Sequence, residues 1–221
     1  MSTSGSHART RVKICGITRP EDGYRAAELG VDAIGLVFVA ASPRAVTVAR
    51  AAEITARLPP FVARVGLFVD AEATEVAAVL RQVSLDMLQF HGEEPAGYCR
   101  QFALPYLKAI SVRPDRDLKS VMAQYPDAAG LLLDAYHPAV AGGSGECFDW
   151  QSVPTDRPRP IILAGGLHPG NVADAVRQVR PFAVDVSSGV ESAKGVKDAI
   201  KMAKFIQGVQ RADHESGVQA Q

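Results

Sequence analysis

VKICGITRPEDGYRAAELGVDAIGLVFV, residues 12–39, is the stretch whose reading decides the fold. Two strand-length apolar runs, VKICGIT and AIGLVFV, flank EDGYRAAELG, whose apolar residues recur at helical spacing. Local punctuation agrees. Thr18 with Glu21 forms a capping-box signature, Pro20 sits in the first helical turn, and Gly30 falls where that helix should stop. Two strands joined through a helix run parallel, because a tight turn connects only antiparallel neighbours.

The unit repeats outward along the chain. Further strand-length runs are FVARVGLFVD from Phe61, MLQFHG from Met87, YLKAISV from Tyr106, GLLLDA from Gly130, PIILAGGL from Pro160 and FAVDVSSG from Phe182. Between most of them lie helical patterns such as EATEVAAVLRQV and PGNVADAVRQV. PAGYCRQFA reads as a short helix and DRDLKSVMAQY as a loosely patterned one. Parallel strands buried on both faces require right-handed crossovers. Doubly wound sheets carry five or six strands, whereas eight βα units close into a barrel of roughly 200–250 residues. The expected fold is therefore α/β, a single (βα)8 TIM barrel over residues 12–209, with flexible extensions at 1–11 and 210–221 that contain little able to form a core. Pro154, Pro158 and Pro160 mark an ordered loop before strand seven.

Composition narrows the partners. The chain has 221 residues, with 24 basic and 24 acidic side chains interspersed to a net charge of zero. That balance argues against nucleic acid and against an anionic membrane surface. Cys15, Cys99 and Cys147 are too few and too widely spaced for a disulfide framework or a zinc knuckle, which points to a reducing, cytoplasmic compartment. The polar start MSTSGSHART lacks a secretory apolar stretch, and no apolar run approaches the ~18 residues of a membrane span, so a soluble protein is expected.

Barrels of this kind gather their chemistry at the C-terminal ends of the strands. Here those ends carry Cys15-Gly16, Ser42-Pro43-Arg44, Gln89 with His91, Asp134, Gly165-Gly166, and Asp185 followed by Ser187-Ser188-Gly189. Glycine-containing segments after strands six, seven and eight (Gly142 to Gly145, AGGL from Ala164, SSGVE from Ser187) offer converging backbone N–H groups and hydroxyls, which is what a phosphate needs. A single such glycine merely serves a turn; three segments on adjacent strand ends point to a small phosphorylated substrate. Cys15 has a plainer reading as a small buried hydrophobe and Asp134 as a cap for the segment after it. Strands one and six lie three places apart around an eight-strand ring, so the two side chains face each other across the mouth as an acid and a base. Arg44 can fork onto a substrate carboxylate, although an arginine after Ser-Pro is more often solvated. His91 reads equally as a satisfied core histidine, and His168 before Pro169 caps the seventh helix. No spacing of His, Cys, Asp and Glu suits a metal, and no strand-linked G-x-G-x-x-G or P-loop is present.

The combination K-I-C-G-I-T (Lys13 to Thr18), S-P-R (Ser42 to Arg44), L-Q-F-H-G (Leu88 to Gly92), L-L-L-D (Leu131 to Asp134), G-G-S-G (Gly142 to Gly145) and V-D-V-S-S-G-V-E (Val184 to Glu191) closely resembles the phosphoribosylanthranilate isomerase family of tryptophan biosynthesis, from Val12 to about Val209. The resemblance implies a (βα)8 barrel that converts N-(5-phosphoribosyl)anthranilate into 1-(2-carboxyphenylamino)-1-deoxyribulose 5-phosphate by an Amadori rearrangement without a cofactor. It implies Cys15 as general base, Asp134 as general acid, Arg44 as holder of the anthranilate carboxylate, and Gln89, His91 and Asp185 around the substrate. The backbone of Gly143, Ser144 and Gly145, of Gly165 and Gly166, and of Ser187, Ser188 and Gly189 would hold the phosphate. Ser144 departs from the more usual Thr but retains a hydroxyl. A monomer or homodimer is expected.

Lys13 shares strand parity with Cys15 and should point into the barrel, where an ammonium needs a partner; Asp185 on the neighbouring eighth strand is the expected one. Two rival readings are a Schiff-base sugar-phosphate aldolase using Lys13 or Lys108, and a non-catalytic barrel that binds a phosphorylated ligand.

Overall fold

The computed structural model describes residues 9–113, 115–135 and 148–218. Eight parallel strands close into a barrel in the order of the sequence: β1 (Arg11–Ile14), β2 (Ala33–Val37), β3 (Ala63–Phe68), β4 (Met87–Phe90), β5 (Tyr106–Val112), β6 (Gly130–Ala135), β7 (Ile161–Leu163) and β8 (Ala183–Val186), with β8 pairing back onto β1. The intervening helices are α1 (Pro20–Glu28), α2 (Val48–Ala56), α3 (Ala73–Leu80), the short α4 (Ala96–Cys99) and α5 (Leu118–Met122), α6 (Val172–Val179), and α7 (Ala199–Val218) after β8. Between β6 and β7 the described residues contain one 3₁₀ turn, Trp150–Ser152. Each of the eight expected strands is present.

The alternation of side chains along each strand separates two cores. Outward residues such as Ile14, Ile34, Phe68, Phe90, Ile110, Leu131 and Val184 join the helices in one large apolar cluster. Inward, Leu107, Ala109, Leu132, Ile162, Ala164 and Ala183 fill one part of the barrel, while Cys15, Val37 and Leu67 form a separate small cluster at the ends of β1, β2 and β3. The interior is thus packed like that of other TIM barrels, and its polar groups concentrate at the strand ends.

Two local expectations need correction. The Thr18–Glu21 capping box does not form: Arg19 is the N-cap, its guanidinium pairs with Asp22, and the Thr18 hydroxyl instead donates to the Gly195 carbonyl at 2.5 Å. A long-range acceptor outcompeted the local backbone. Pro20 and Gly30 do bracket α1 as expected. The segment from residue 210, expected to be a flexible tail, continues α7 to Val218. Met202, Phe205, Ile206, Val209 and Ala212 form one buried stripe at helical spacing, and the Asp213 carboxylate accepts from both the backbone N–H and the hydroxyl of Thr10 at 2.7 Å. Burying each large side chain of that stripe is worth about 1.5–3 kcal/mol, enough to hold the helix down.

The two rival nucleophiles are both occupied. Lys108 lies on the outward parity of β5, where its Nζ donates to Glu94 Oε2 at 2.7 Å and to the Gly92 carbonyl at 2.6 Å. Glu94 in turn accepts from the backbone N–H groups of Asp70 and Gly92, at 2.8 and 2.9 Å, and so ties together the loops after β3 and β4. Removing one member of such a buried pair strands the other charge. Lys108→Met is expected to lower the unfolding free energy by about 3–5 kcal/mol, read from the denaturant midpoint at constant m-value. An unchanged midpoint would contradict the assignment of this pair to holding the two loops.

Candidate active site

Cys15 follows the last residue of β1, its backbone N–H donating to the Val186 carbonyl at 2.8 Å, so the thiol is fixed by the β1–β8 ladder. Directly below it on the same inward face, Lys13 Nζ lies 2.9 Å from Asp185 Oδ1, as expected from strand parity, because Lys13 and Asp185 stand opposite each other in the β1–β8 register. Both side chains are almost wholly buried. Burial works against the Lys13 charge, but Asp185 and the Cys15 sulfur outweigh it and raise the lysine above its ordinary value. Burial pushes the Cys15 thiol up, and the Asp185 carboxylate adds to this; the ammonium groups of Lys13 and Lys197 pull in the opposite direction without overcoming it. Room for this arrangement comes from β2: a Cβ on Gly35 would stand 2.6 Å from the Cys15 sulfur and 3.2 Å from Lys13 Nζ.

On the far side of the ring, Asp134 ends the inward row of β6. His91 Nε2 lies 3.2 Å from its Oδ2, and Gln89 Nε2 lies 3.2 Å from His91 Nδ1. With the Gln89 amide donating to Nδ1, the ring carries its proton on Nε2 and donates it to the carboxyl. Gln89 is fully buried, and its Oε1 has no hydrogen-bond partner among the described residues. The chain Gln89–His91–Asp134 is thus a relay from β4 to β6, and it was not visible as such in the sequence.

The glycine segment after β7 adopts a left-handed turn, with φ of +81° at Gly165 and +64° at Gly166. A Cβ at Gly165 would stand 2.4 Å from the Ala135 nitrogen and 2.9 Å from Asp134 Oδ1, so only glycine lets this loop lie against the end of β6. Asn171 braces the loop, donating to the Gly166 carbonyl at 3.0 Å and accepting from the His168 N–H at 2.8 Å. The His168 ring accepts from the Gly170 N–H at 3.1 Å, ahead of α6, whose N-cap is Asn171 and not the expected His168. After β8, Ser188–Val190 form a 3₁₀ turn that follows Ser187. Gly143, Ser144 and Gly145 lie outside the described residues, as does Cys147. Cys99 is a packing residue, fully buried, its thiol pushed up to about 12 by burial.

Arg44 is brought to the same mouth, but it does not stand free: its Nε and one Nη fork onto the two oxygens of Glu191 at 2.7 and 2.8 Å. Glu191 also receives Lys197 Nζ at 2.8 Å. The sequence reading gave neither residue a role. Both sit on a short antiparallel hairpin, β9 (Glu191–Ala193) and β10 (Val196–Lys197), whose Lys194-Gly195 turn was the available signal. Among the described residues, no group of three or more His, Cys, Asp and Glu side chains is placed to hold a metal ion, and no helix is long and apolar enough to cross a membrane.

Comparison with known proteins gives the arrangement its context. A family model described as N-(5'phosphoribosyl)anthranilate (PRA) isomerase matches residues 12–208. The N-(5'-phosphoribosyl)anthranilate isomerase of Pseudomonas aeruginosa (strain LESB58) is 56% identical over 199 residues, 90% of this chain and 94% of that protein. Among solved structures, phosphoribosyl anthranilate isomerase from Thermotoga maritima is 42% identical with a TM-score of 0.85, covering 91% of this chain and 99% of that one. A phosphoribosyl anthranilate isomerase in complex with reduced 1-(o-carboxyphenylamino)-1-deoxyribulose 5-phosphate is 41% identical with a TM-score of 0.82 over the same shares. The barrel, its strand-end motifs and these likenesses lead to one conclusion: the chain belongs to the N-(5'-phosphoribosyl)anthranilate isomerase family.

Proposed function

We propose that Cys15 and Asp134 are the general base and general acid with which this chain rearranges N-(5'-phosphoribosyl)anthranilate into 1-(2-carboxyphenylamino)-1-deoxyribulose 5-phosphate. Family membership makes the chain an isomerase of that substrate in tryptophan biosynthesis, the activity its motifs led us to expect. The residue roles rest on one observation: a thiol and a carboxyl end the inward rows of β1 and β6, each beside its own charged or polar partner. Arg44 would meet the anthranilate carboxylate, Gln89, His91 and Asp185 would line the substrate, and the Gly143–Gly145, Gly165–Gly166 and Ser187–Gly189 backbones would receive the phosphate. We place the reaction in the cytoplasm, with the protein a monomer or homodimer.

Protonated Asp134 gives its proton to the furanose ring oxygen as the C1'–O4' bond breaks, and the anthranilate nitrogen becomes a protonated imine. That imine is the electron sink. Cys15 as thiolate removes the proton from C2', and the electron pair moves to the imine nitrogen, leaving a neutral enolamine. Tautomerisation moves the enol proton to C1' and yields the ketone. One proton must then return from Cys15 to Asp134 to reset the enzyme. The lysines of the aldolase alternative are both committed to carboxylates, Lys13 to Asp185 and Lys108 to Glu94.

The roles are tested by the pH dependence of kcat/KM. A carboxyl ordinarily ionises well below a thiol, so the reactive form, with acid protonated and base ionised, is a minor one. Between the two titrations the rising thiolate fraction and the falling carboxyl fraction cancel, giving a plateau. Above the thiol titration the thiolate is saturated and the rate falls. Because burial raises Cys15, this alkaline limb is expected above the ordinary thiol value of about 8.5. Lys13→Met removes a cation that lowers the thiol, so it should move the limb to higher pH and lower the plateau by the same factor. A limb that Lys13→Met leaves unmoved would overturn Cys15 as its source.

A further inference from the structure

The guanidinium assigned to the substrate carboxylate already holds a carboxylate of the protein. Arg44 presents its Nε and one Nη to Glu191 at 2.7 and 2.8 Å, and its other Nη has no hydrogen bond among the described residues. Glu191 Oε1 also accepts from Lys197 Nζ at 2.8 Å, and Lys197 reaches onward to the Ser187 carbonyl at 3.1 Å and hydroxyl at 3.4 Å. The three side chains are 12%, 6% and 0% exposed. Their positions are set by backbone: Lys197 pairs with Glu191 across the β9–β10 hairpin, its own N–H donates to Asp22, and Thr18 holds the hairpin turn at Gly195.

A guanidinium has five donors and more than one edge that can fork onto a carboxylate. Glu191 takes the side edge, which leaves the end of Arg44 for a second carboxylate. Two cations and one anion carry a net charge of +1, the charge that one substrate carboxylate neutralises. Without Glu191, two buried cations would face each other and Arg44 would be free to swing. Burial alone would raise the Glu191 carboxyl; Arg44 and Lys197 outweigh it and hold it below the usual carboxylate range.

We propose that Glu191, bridged by Lys197 to Ser187, is a positioning residue that fixes Arg44 for the aromatic carboxylate and links that contact to the segment assigned to the phosphate. The proposal rests on the reading of Arg44 as the carboxylate partner. Its contribution is preorganisation: the arginine is held in its binding rotamer before substrate arrives.

The test measures the affinity of two ligands by titration calorimetry: reduced 1-(o-carboxyphenylamino)-1-deoxyribulose 5-phosphate, and the same compound without the ring carboxylate. The unaltered protein is expected to prefer the first by roughly 10–100-fold, the scale of a charge-assisted fork. Arg44→Met should abolish the preference, and if it does not, the reading of Arg44 beneath the proposal fails. Glu191→Gln should reduce the preference to a few-fold by weakening only the carboxylated ligand, with KM for the substrate rising more than kcat falls. If Arg44→Met abolishes the preference but Glu191→Gln keeps it, or weakens both ligands equally, the positioning role is wrong while the Arg44 reading stands. Should Glu191→Gln fail to fold, Glu191→Asp retains the charge and shortens its reach by one methylene. An intermediate preference supports the proposal, and an undiminished one overturns it.

Discussion

Cys15→Ala is expected to reduce kcat by roughly 10²–10⁴ while affinity for the reduced product changes by no more than a few-fold. The substitution deletes the sulfur that takes the C2' proton and leaves the rest of the mouth in place. Cys15 packs in a small apolar cluster with Val37 and Leu67, where a methyl group is at home. Lys13 keeps its contact with Asp185, so no buried charge loses its counterion. The loss therefore falls on a proton transfer made in the transition state and not on ground-state binding, which is the kinetic pattern of a lost general base. Single-turnover measurement with enzyme in excess isolates the chemical step. A Cys15→Ala protein that turns over within a few-fold of normal would remove the base from the mechanism.

Asp134→Asn is expected to cost a comparable factor, for the opposite half of the proton balance. The amide matches the carboxyl in shape, and its oxygen can still accept from His91 Nε2, which lies 3.2 Å from Asp134 Oδ2. What it lacks is an acidic proton for the furanose oxygen. The ring should fail to open, and no imine should form for Cys15 to act upon. The two losses are expected to be non-additive, because the double variant lacks steps that operate in sequence. Without Asp134 no falling carboxyl fraction offsets the rising thiolate fraction, so the kcat/KM plateau should become a continuous rise toward the thiol titration and the alkaline fall should disappear. If the plateau and the alkaline fall persist unchanged in Asp134→Asn, the acid is another group.

Much of this was readable from the residues. The eight apolar runs marked the strands because a parallel sheet buried on both faces needs continuous apolar stretches. Strand parity alone placed Lys13 against Asp185, since residues opposite each other in a ladder on one face must meet. Other features depend on contacts between segments far apart in sequence. Nothing near Thr18 indicates that its hydroxyl will find Gly195 instead of capping α1. Glu191 is one exposed-looking acid in a polar stretch until the hairpin folds it under Arg44. The fork between those two, 147 residues apart, is set by how the segment after β8 lies over the loop after β2. The end of α7 differs from the expected tail for a different reason: its apolar stripe continues through Val209 and Ala212 at low density, and burial of that stripe together with the Asp213 contacts to Thr10 outweighs the polar composition.

The most direct measurement is the decay of N-(5'-phosphoribosyl)anthranilate fluorescence on adding purified chain, with Cys15→Ala and Asp134→Asn in parallel. The unaltered chain should consume the substrate without added metal or cofactor and yield 1-(2-carboxyphenylamino)-1-deoxyribulose 5-phosphate, while both variants leave the signal near the uncatalysed decay. Consumption by Cys15→Ala at the rate of the unaltered chain, or no consumption by the unaltered chain, would contradict the account.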